Sequence, residues 1–190
     1  MIHPTAEVAK DVVLGEGTRV WHQAQIRERV RIGKHCIIGK GVYIDSGVPI
    51  GDNVKIQNYS LVYHGVSIED GVFVGPRVTF TNDKLPRAIN PDGSLKSDAD
   101  WVVSETRVKY GAALGAGSII VCGTTIGRFA LIGAGAVVTK DVPDHGLAVG
   151  NPARLVGYVC KSAHPMKNIG GTRWHCDQCD EAFDFPEMIK

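Results

Sequence analysis

Cys176 and Cys179 stand two residues apart, a spacing that lets both thiolates meet one tetrahedral ion at about 2.3 Å. With Phe183 behind them they read as one knuckle of a zinc ribbon. Cys160 and His164, four positions apart, would complete a Cys3His set, with His175 as the substitute. Reduced thiols without an ion are the alternative for the same residues. Three cations are placed to meet phosphates: Arg87, whose planar fork suits a diphosphate, and Lys140 and Arg154 near the end of the regular sequence. Each competes with the plain reading of a solvated surface charge. His22 and His64 are of the side-chain type suited to receive a proton near neutrality, or else are polar turn residues.

These residues are strung on a sequence of unusual regularity. From Ile2 to Phe80 an aliphatic or aromatic side chain falls on every sixth position, through Val8, Leu14, Val20, Ile26, Ile32 and onward. The ladder resumes at Val102 and runs through Val108, Leu114, Ile120, Ile126, Ile132 and Val138. Small or β-branched residues sit two positions before nearly every rung, as Thr18, Cys36, Val54 and Ala112 do. Residues two apart on a strand share a side, so the pairing is a strand signal, whereas a period of six drifts around a 3.6-residue helical turn. Glycine recurs just after the rung, where a corner is expected to need a permissive backbone. Each hexapeptide is therefore one short strand plus a turn, and three of them make an 18-residue triangular coil. The 21 rungs give about seven coils, a prism roughly 34 Å tall at a strand spacing near 4.8 Å. The expected fold class is all-β, a parallel β-helix spanning residues 1–154.

Three segments interrupt this order. The ladder skips at residues 82–101, whose Asn82, Asp83, Pro86, Asn90, Pro91 and Gly93 compose an extruded loop. Loops of that length in a compact domain tend to be functional or disordered. Pro143 and Gly146, then Gly150 and Pro152, end the coils and are expected to deny the last strand further partners. Residues 155–190 carry no sixfold period and form a small C-terminal appendage. Within the coils, Gln57 and Asn58 follow the rung Ile56 and so sit at a corner, where they either reach substrate hydroxyls or stack on neighbouring turns.

The bulk numbers exclude several classes. The 21 basic and 20 acidic residues nearly cancel, which argues against nucleic acid or an anionic membrane as partner. No run approaches 18 apolar residues, and Met1-Ile2-His3-Pro4 enters the first repeat directly, so a cytoplasmic protein with reduced cysteines is expected.

The repeat resembles that of the hexapeptide, left-handed β-helix acyltransferases. The run from Ile132 to Pro143, followed by Gly150-Asn151-Pro152-Ala153-Arg154, is similar to their usual ending. Within that superfamily the blocks Val20-Trp21-His22, Lys55-Ile56-Gln57-Asn58, Phe80-Thr81-Asn82-Asp83, Pro86-Arg87 and Ile120-Val121-Cys122-Gly123 resemble the N-acetyltransferases of nucleotide-linked 3-amino sugars. The left hand comes from the resemblance alone. It further implies acetyl-CoA as donor, a UDP- or dTDP-linked amino sugar as acceptor, and a place in bacterial surface polysaccharide synthesis. A homotrimer is implied as well, with a cleft between neighbouring prisms where acetyl-CoA lies lengthwise. Asn82 matches the residue that holds the sugar amine. An amide cannot act as base, and in such relatives the proton leaves toward the departing thiolate; His22 and His64 are the alternatives. For the pantetheine arm, Gly117 and Gly135 lie 18 residues apart and hence one coil above the other, with Lys140 and Arg154 toward the CoA phosphates.

Rival activities on such a prism are distinguishable. A γ-class carbonic anhydrase needs a close pair of histidines, and the seven here fall at 3, 22, 35, 64, 145, 164 and 175. O-acetylation of a hydroxyl is a nearer alternative and calls for a histidine base. A noncatalytic scaffold is the alternative of another class.

Overall fold

The computed structural model describes residues 1–185. Strands, most of them parallel and of two or three residues, stack into three sheets of seven, six and eight strands, one for each face of a three-sided column. The first face carries Arg19–Val20, Ile37–Ile38, Lys55–Ile56, Phe73–Val74, Ala113–Leu114 and Leu131–Ile132. The second carries Glu7–Val8 through Val137–Val138, and the third Val13–Leu14 through Thr125–Ile126. Register advances by one coil per step, so that Val20 opposes Ile38 and Ile38 opposes Ile56.

The rungs and the residues two before them fill the column. Val20, Ile38, Ile56, Leu114 and Ile132 are fully buried, as are Cys36, Val54 and Ala112. Each such rung contributes roughly 1.5 to 3 kcal/mol of transfer free energy, before chain entropy offsets it. Polar members of the inner row are paired where geometry allows: Thr18 Oγ1 donates to Gly33 O at 2.7 Å and Ser60 Oγ to Gly75 O at 2.8 Å. Ser118 Oγ is buried with no hydrogen-bond partner among the described residues.

The glycines after the rungs serve a purpose other than the expected one. A Cβ at Gly115 would collide with the backbone of Gly133 and Ala134 in the next coil, so the position demands close approach rather than unusual dihedrals. The left-handed conformation falls two residues later, at Gly117 (φ 67°) and Gly135 (φ 69°). Between stacked turns, side chains take up the free amides: Asp70 Oδ1 accepts from Asp52 N at 2.7 Å, and Asn58 Oδ1 from Lys40 N at 2.9 Å.

Two boundaries differ from the sequence expectation. Val102 is not a rung; it is 84% exposed, and the column is re-entered by Thr106–Val108, paired with Val66–Ile68. The sixfold phase cannot distinguish the two, because Val102 stands six positions before Val108, in phase with the coils that follow, while still lying in the loop. The loop has internal order, with Ile89 bridged to Leu95 and a 3-10 turn at Asp98–Asp100 capped by Ser97. At the other end, the edge at Gly146–Val149 is not left bare by Pro and Gly. It is covered by Arg154–Tyr158, which pairs with it antiparallel. The remaining chain forms a three-stranded antiparallel sheet of Lys167–Gly170, Arg173–Cys176 and Glu181–Asp184. Its small core holds Tyr158, Met166, Trp174 and Phe185. Among the described residues no helix is long and apolar enough to cross a membrane.

Candidate functional site

Polar chemistry collects at the corners, because the rungs turn inward and the turns face outward. The corner between the first and second faces contains Trp21-His22, Gly39-Lys40 and Gln57-Asn58 in successive coils, and these residues with Ile37 line a cleft of about 270 Å³. Gly117 and Gly135 continue the same corner two and three coils above Asn58, roughly 10 and 14 Å along the column. A Cβ at either would meet nothing within 4 Å, so the backbone is bare to an approaching ligand. Gly150 extends the row, its carbonyl accepting from Val137 N at 3.0 Å, and Arg154 follows with its guanidinium on the Ala153 carbonyl at 2.9 Å. The structure thus places His22, Gln57, Asn58, Gly117, Gly135 and Arg154 along one edge.

Lys140 is not on that edge. It follows the second-face strand Val137–Val138 and is exposed beside Asp141, whose carboxylate accepts from Thr125 N at 2.7 Å. His64 also lies at the corner between the second and third faces. Its Nδ1–H donates to Ser46 O at 2.8 Å, and it borders a cleft of about 490 Å³ with Pro49, Ser67, Glu105 and Arg107.

The loop springs from this second corner. Asn82 and Arg87 line a cleft of about 410 Å³ with Asp83, Lys96, Ser97 and Trp101. Asn82 is half-buried, and no hydrogen bond involves its carboxamide among the described residues. Within one chain, then, Asn82 and Arg87 share one cleft, His22, Gln57 and Asn58 share a second, and His64 stands at a third.

Sequence reasoning passed over Lys40, Trp101 and Lys96 as cleft residues. For Lys40 the signal was available, since His22, Lys40 and Asn58 are spaced by 18 and must stack. Nothing in the periodicity reports on Lys96 or Trp101, which the internal geometry of the loop sets in place. Asn58 performs the stacking role through Oδ1.

In the appendage, Cys160, His164, Cys176 and Cys179 present ligand atoms that all lie within 4.8 Å of one another. Burial opposes ionisation of Cys176, but the backbone amides of Cys179 and Gln178 donate to its sulfur and outweigh burial, holding the thiol down at about 7.

A column of hexapeptide coils in three parallel sheets, with clefts at its corners, defines a β-solenoid. Sequence comparison gives the family. The bacterial transferase hexapeptide (six repeats) matches residues 11–46 and 47–82, and the hexapeptide repeat of succinyl-transferase matches 111–140. Together they cover more than half of the chain, and the gap between them contains the inserted loop. The chain belongs to the hexapeptide-repeat transferases.

Among its relatives is dTDP-3-amino-3,6-dideoxy-alpha-D-galactopyranose 3-N-acetyltransferase of Aneurinibacillus thermoaerophilus. It is 46% identical over 84 residues, which is 44% of this chain and 43% of that one. Of solved structures, PerB from Caulobacter crescentus, in complex with CoA and GDP-perosamine, is similar with a TM-score of 0.51 and 28% identity, over 82% of this chain and 56% of that one. The acetyltransferase domain of PglB from Neisseria gonorrhoeae, in complex with acetyl coenzyme A, shares the fold with a TM-score of 0.54 and 22% identity, again over 82% and 56%. The chain thus spans about half the length of these relatives.

Proposed function

We propose that this protein is an N-acetyltransferase moving acetyl from acetyl-CoA to the amino group of a nucleotide-linked 3-amino sugar, with UDP or dTDP as the nucleotide. The observation that carries the reading is the row along one edge: His22, Gln57 and Asn58 in one cleft, bare backbone at Gly117 and Gly135 above them. A long, thin cosubstrate laid lengthwise on that edge would bring its thioester toward a polar cleft. The activities of the relatives, acetylation of a dTDP-linked amino sugar and binding of CoA with GDP-perosamine, support the same chemistry.

In the reaction the unprotonated amine attacks the thioester carbonyl, an N–C bond forms, the C–S bond breaks and CoA departs as thiolate. The proton lost by nitrogen goes to that thiolate, or to His22 on its way. Positioning supplies most of the acceleration in such a transfer. Asn82 holds the amine, Gln57 and Asn58 meet sugar hydroxyls, and Arg87 meets the diphosphate. Gly117 and Gly135 admit the pantetheine arm, Arg154 on the same edge meets CoA phosphates, and Lys140, at the other corner, would reach them only from a neighbouring chain.

The loop and the polar row open at different edges of one prism, so the proposal includes a homotrimer in which the loop of one chain meets the polar edge of the next. Leu85, Leu95 and Val102 on the loop are 80%, 79% and 84% exposed, an apolar set suited to such a contact. Reduced cysteines and balanced charge fit a cytoplasmic setting, and surface polysaccharide synthesis is the pathway class that uses such sugars.

The test is incubation with acetyl-CoA and a panel of UDP- and dTDP-linked amino sugars and their hydroxyl counterparts. The proposal expects free thiol and an acetamido product from the amines alone. Acetylation of the hydroxyl sugars would transfer the reading to an O-acetyltransferase, and no thiol release with any acceptor would remove it. Light scattering on the eluting protein tests the trimer.

A further inference from the structure

The appendage contains a cluster that acetyl transfer does not use. Cys160 and His164 bracket one tight turn, closed by Cys160 N donating to His164 O at 3.0 Å and Ala163 N to Cys160 O at 2.9 Å. Cys176 and Cys179 occupy a second, closed by Asp180 N donating to Cys176 O at 2.9 Å. The two turns face each other. Cys160 Sγ lies 3.6 Å from Cys179 Sγ, and Cys179 Sγ lies 3.5 Å from His164 Nδ1.

These separations discriminate between the chemistries open to three thiols and an imidazole. A disulfide holds its sulfurs at about 2.05 Å, well short of the Cys160–Cys179 distance. Two zinc ligands at about 2.3 Å in a tetrahedral arrangement stand roughly 3.8 Å apart, close to what these pairs show. Soft thiolates with one imidazole select zinc over magnesium, calcium or manganese. All four positions are filled by protein, which leaves no place for substrate and makes the site structural. Cys160 and Cys176 are buried within the small core of the appendage.

The turns are also positioned to matter for the column. Tyr158 belongs both to the strand that covers the last coil and to the small core of Met166, Trp174 and Phe185. The His145 ring, in the last corner, packs between Phe129 at 5.2 Å and Phe183 and Phe185 at 5.4 and 5.3 Å. A core this small cannot hold a separate module by apolar burial alone.

We propose that Cys160, His164, Cys176 and Cys179 bind one structural zinc ion, which fixes the three-stranded appendage over the end of the column. The proposal is independent of the acetyltransferase reading.

The test uses the full-length, untagged chain grown with zinc and dialysed against a mild chelator. Elemental analysis is expected to find one equivalent of zinc per chain, and substitution with cobalt to give the intense visible bands of a tetrahedral thiolate site. Cys176→Ser with Cys179→Ser is expected to lose the metal, whereas Cys36→Ala keeps it. If the double variant proves insoluble, His164→Cys decides: it preserves four ligands, so it should retain the zinc and shift the cobalt spectrum. Stripping the metal is expected to shift Trp174 emission to the red and open the segment after Arg154 to protease. A folded wild-type chain without metal, or metal retained by the double variant, would overturn the proposal. An unchanged cobalt spectrum in His164→Cys would remove His164 from the ligand set.

Discussion

Phe80 lies in register with Ile120, forty positions away, although every regular step in the column is eighteen. The loop between them is therefore an insertion that leaves the stacking undisturbed, and Thr81 N still donates to Ile120 O at 3.0 Å. Removing residues 82–103 joins Thr81 to Ser104 and restores the hexapeptide spacing from Phe80 to Val108. Such a variant is expected to fold, with the far-ultraviolet spectrum of a β-solenoid and a cooperative melt, because closing a shorter loop lowers the entropic cost. Its acetyl transfer is expected to vanish. A soluble deletion variant with wild-type turnover would remove the loop from the mechanism.

Asn82→Ala tests positioning within that loop. The carboxamide has no hydrogen-bond partner among the described residues, so its loss should leave stability within about 0.5 kcal/mol. Misplacing the amine is expected to lower kcat by about 10²-fold. Steady-state kinetics alongside thermal melts separates the two effects.

Gly135→Leu probes the bare edge. The side chain would enter open space but at φ 69°, a conformation that costs a residue with a Cβ about 1 to 2 kcal/mol. If acetyl-CoA lies on this edge, its KM rises at least tenfold while the KM for the sugar changes little. Equal KM values for the donor would sever the glycine row from cofactor binding.

Ser118→Ala should stabilise the protein. The buried hydroxyl has no partner among the described residues, and an unsatisfied polar group costs about 1 to 3 kcal/mol. Each kcal/mol regained is expected to raise Tm by roughly 2 to 4 °C in a chain of this size. Calorimetry that finds a lower Tm would show that the hydroxyl is bonded in solution.

Leu114→Ala and Val102→Ala distinguish a rung from its imitation. The first empties a fully buried position and should cost about 2 to 5 kcal/mol; the second, 84% exposed, should cost less than about 0.5 kcal/mol. Denaturant titration reads both.

The column was legible because burial repeats with the coil: Val20, Ile38 and Ile56 must point the same way if the strands stack at all. Corner residues were legible only as far as the same arithmetic reaches, which is why His22 and Asn58 fall in one cleft. Val102 kept the phase of the coils that follow without the burial, since it stands six positions before Val108, and spacing alone does not mark where the chain re-enters the column after the loop. The post-rung glycines misled for a related reason. Sequence shows that a side chain is refused there, but not whether dihedral strain or the proximity of the neighbouring coil refuses it. Asn82 and Arg87 share a cleft through the folding of an aperiodic loop, which no spacing encodes.

The two ends of the column are unlike. Tyr158, at the end the appendage covers, is 2% exposed, whereas Ile2, in the first coil, is 49% exposed and is joined to Val20 by a single bridge. In a stack whose members touch only their neighbours, unravelling starts where a member has one neighbour instead of two. This protein should come apart directionally, shedding turns from its amino-terminal side while the opposite side remains fastened.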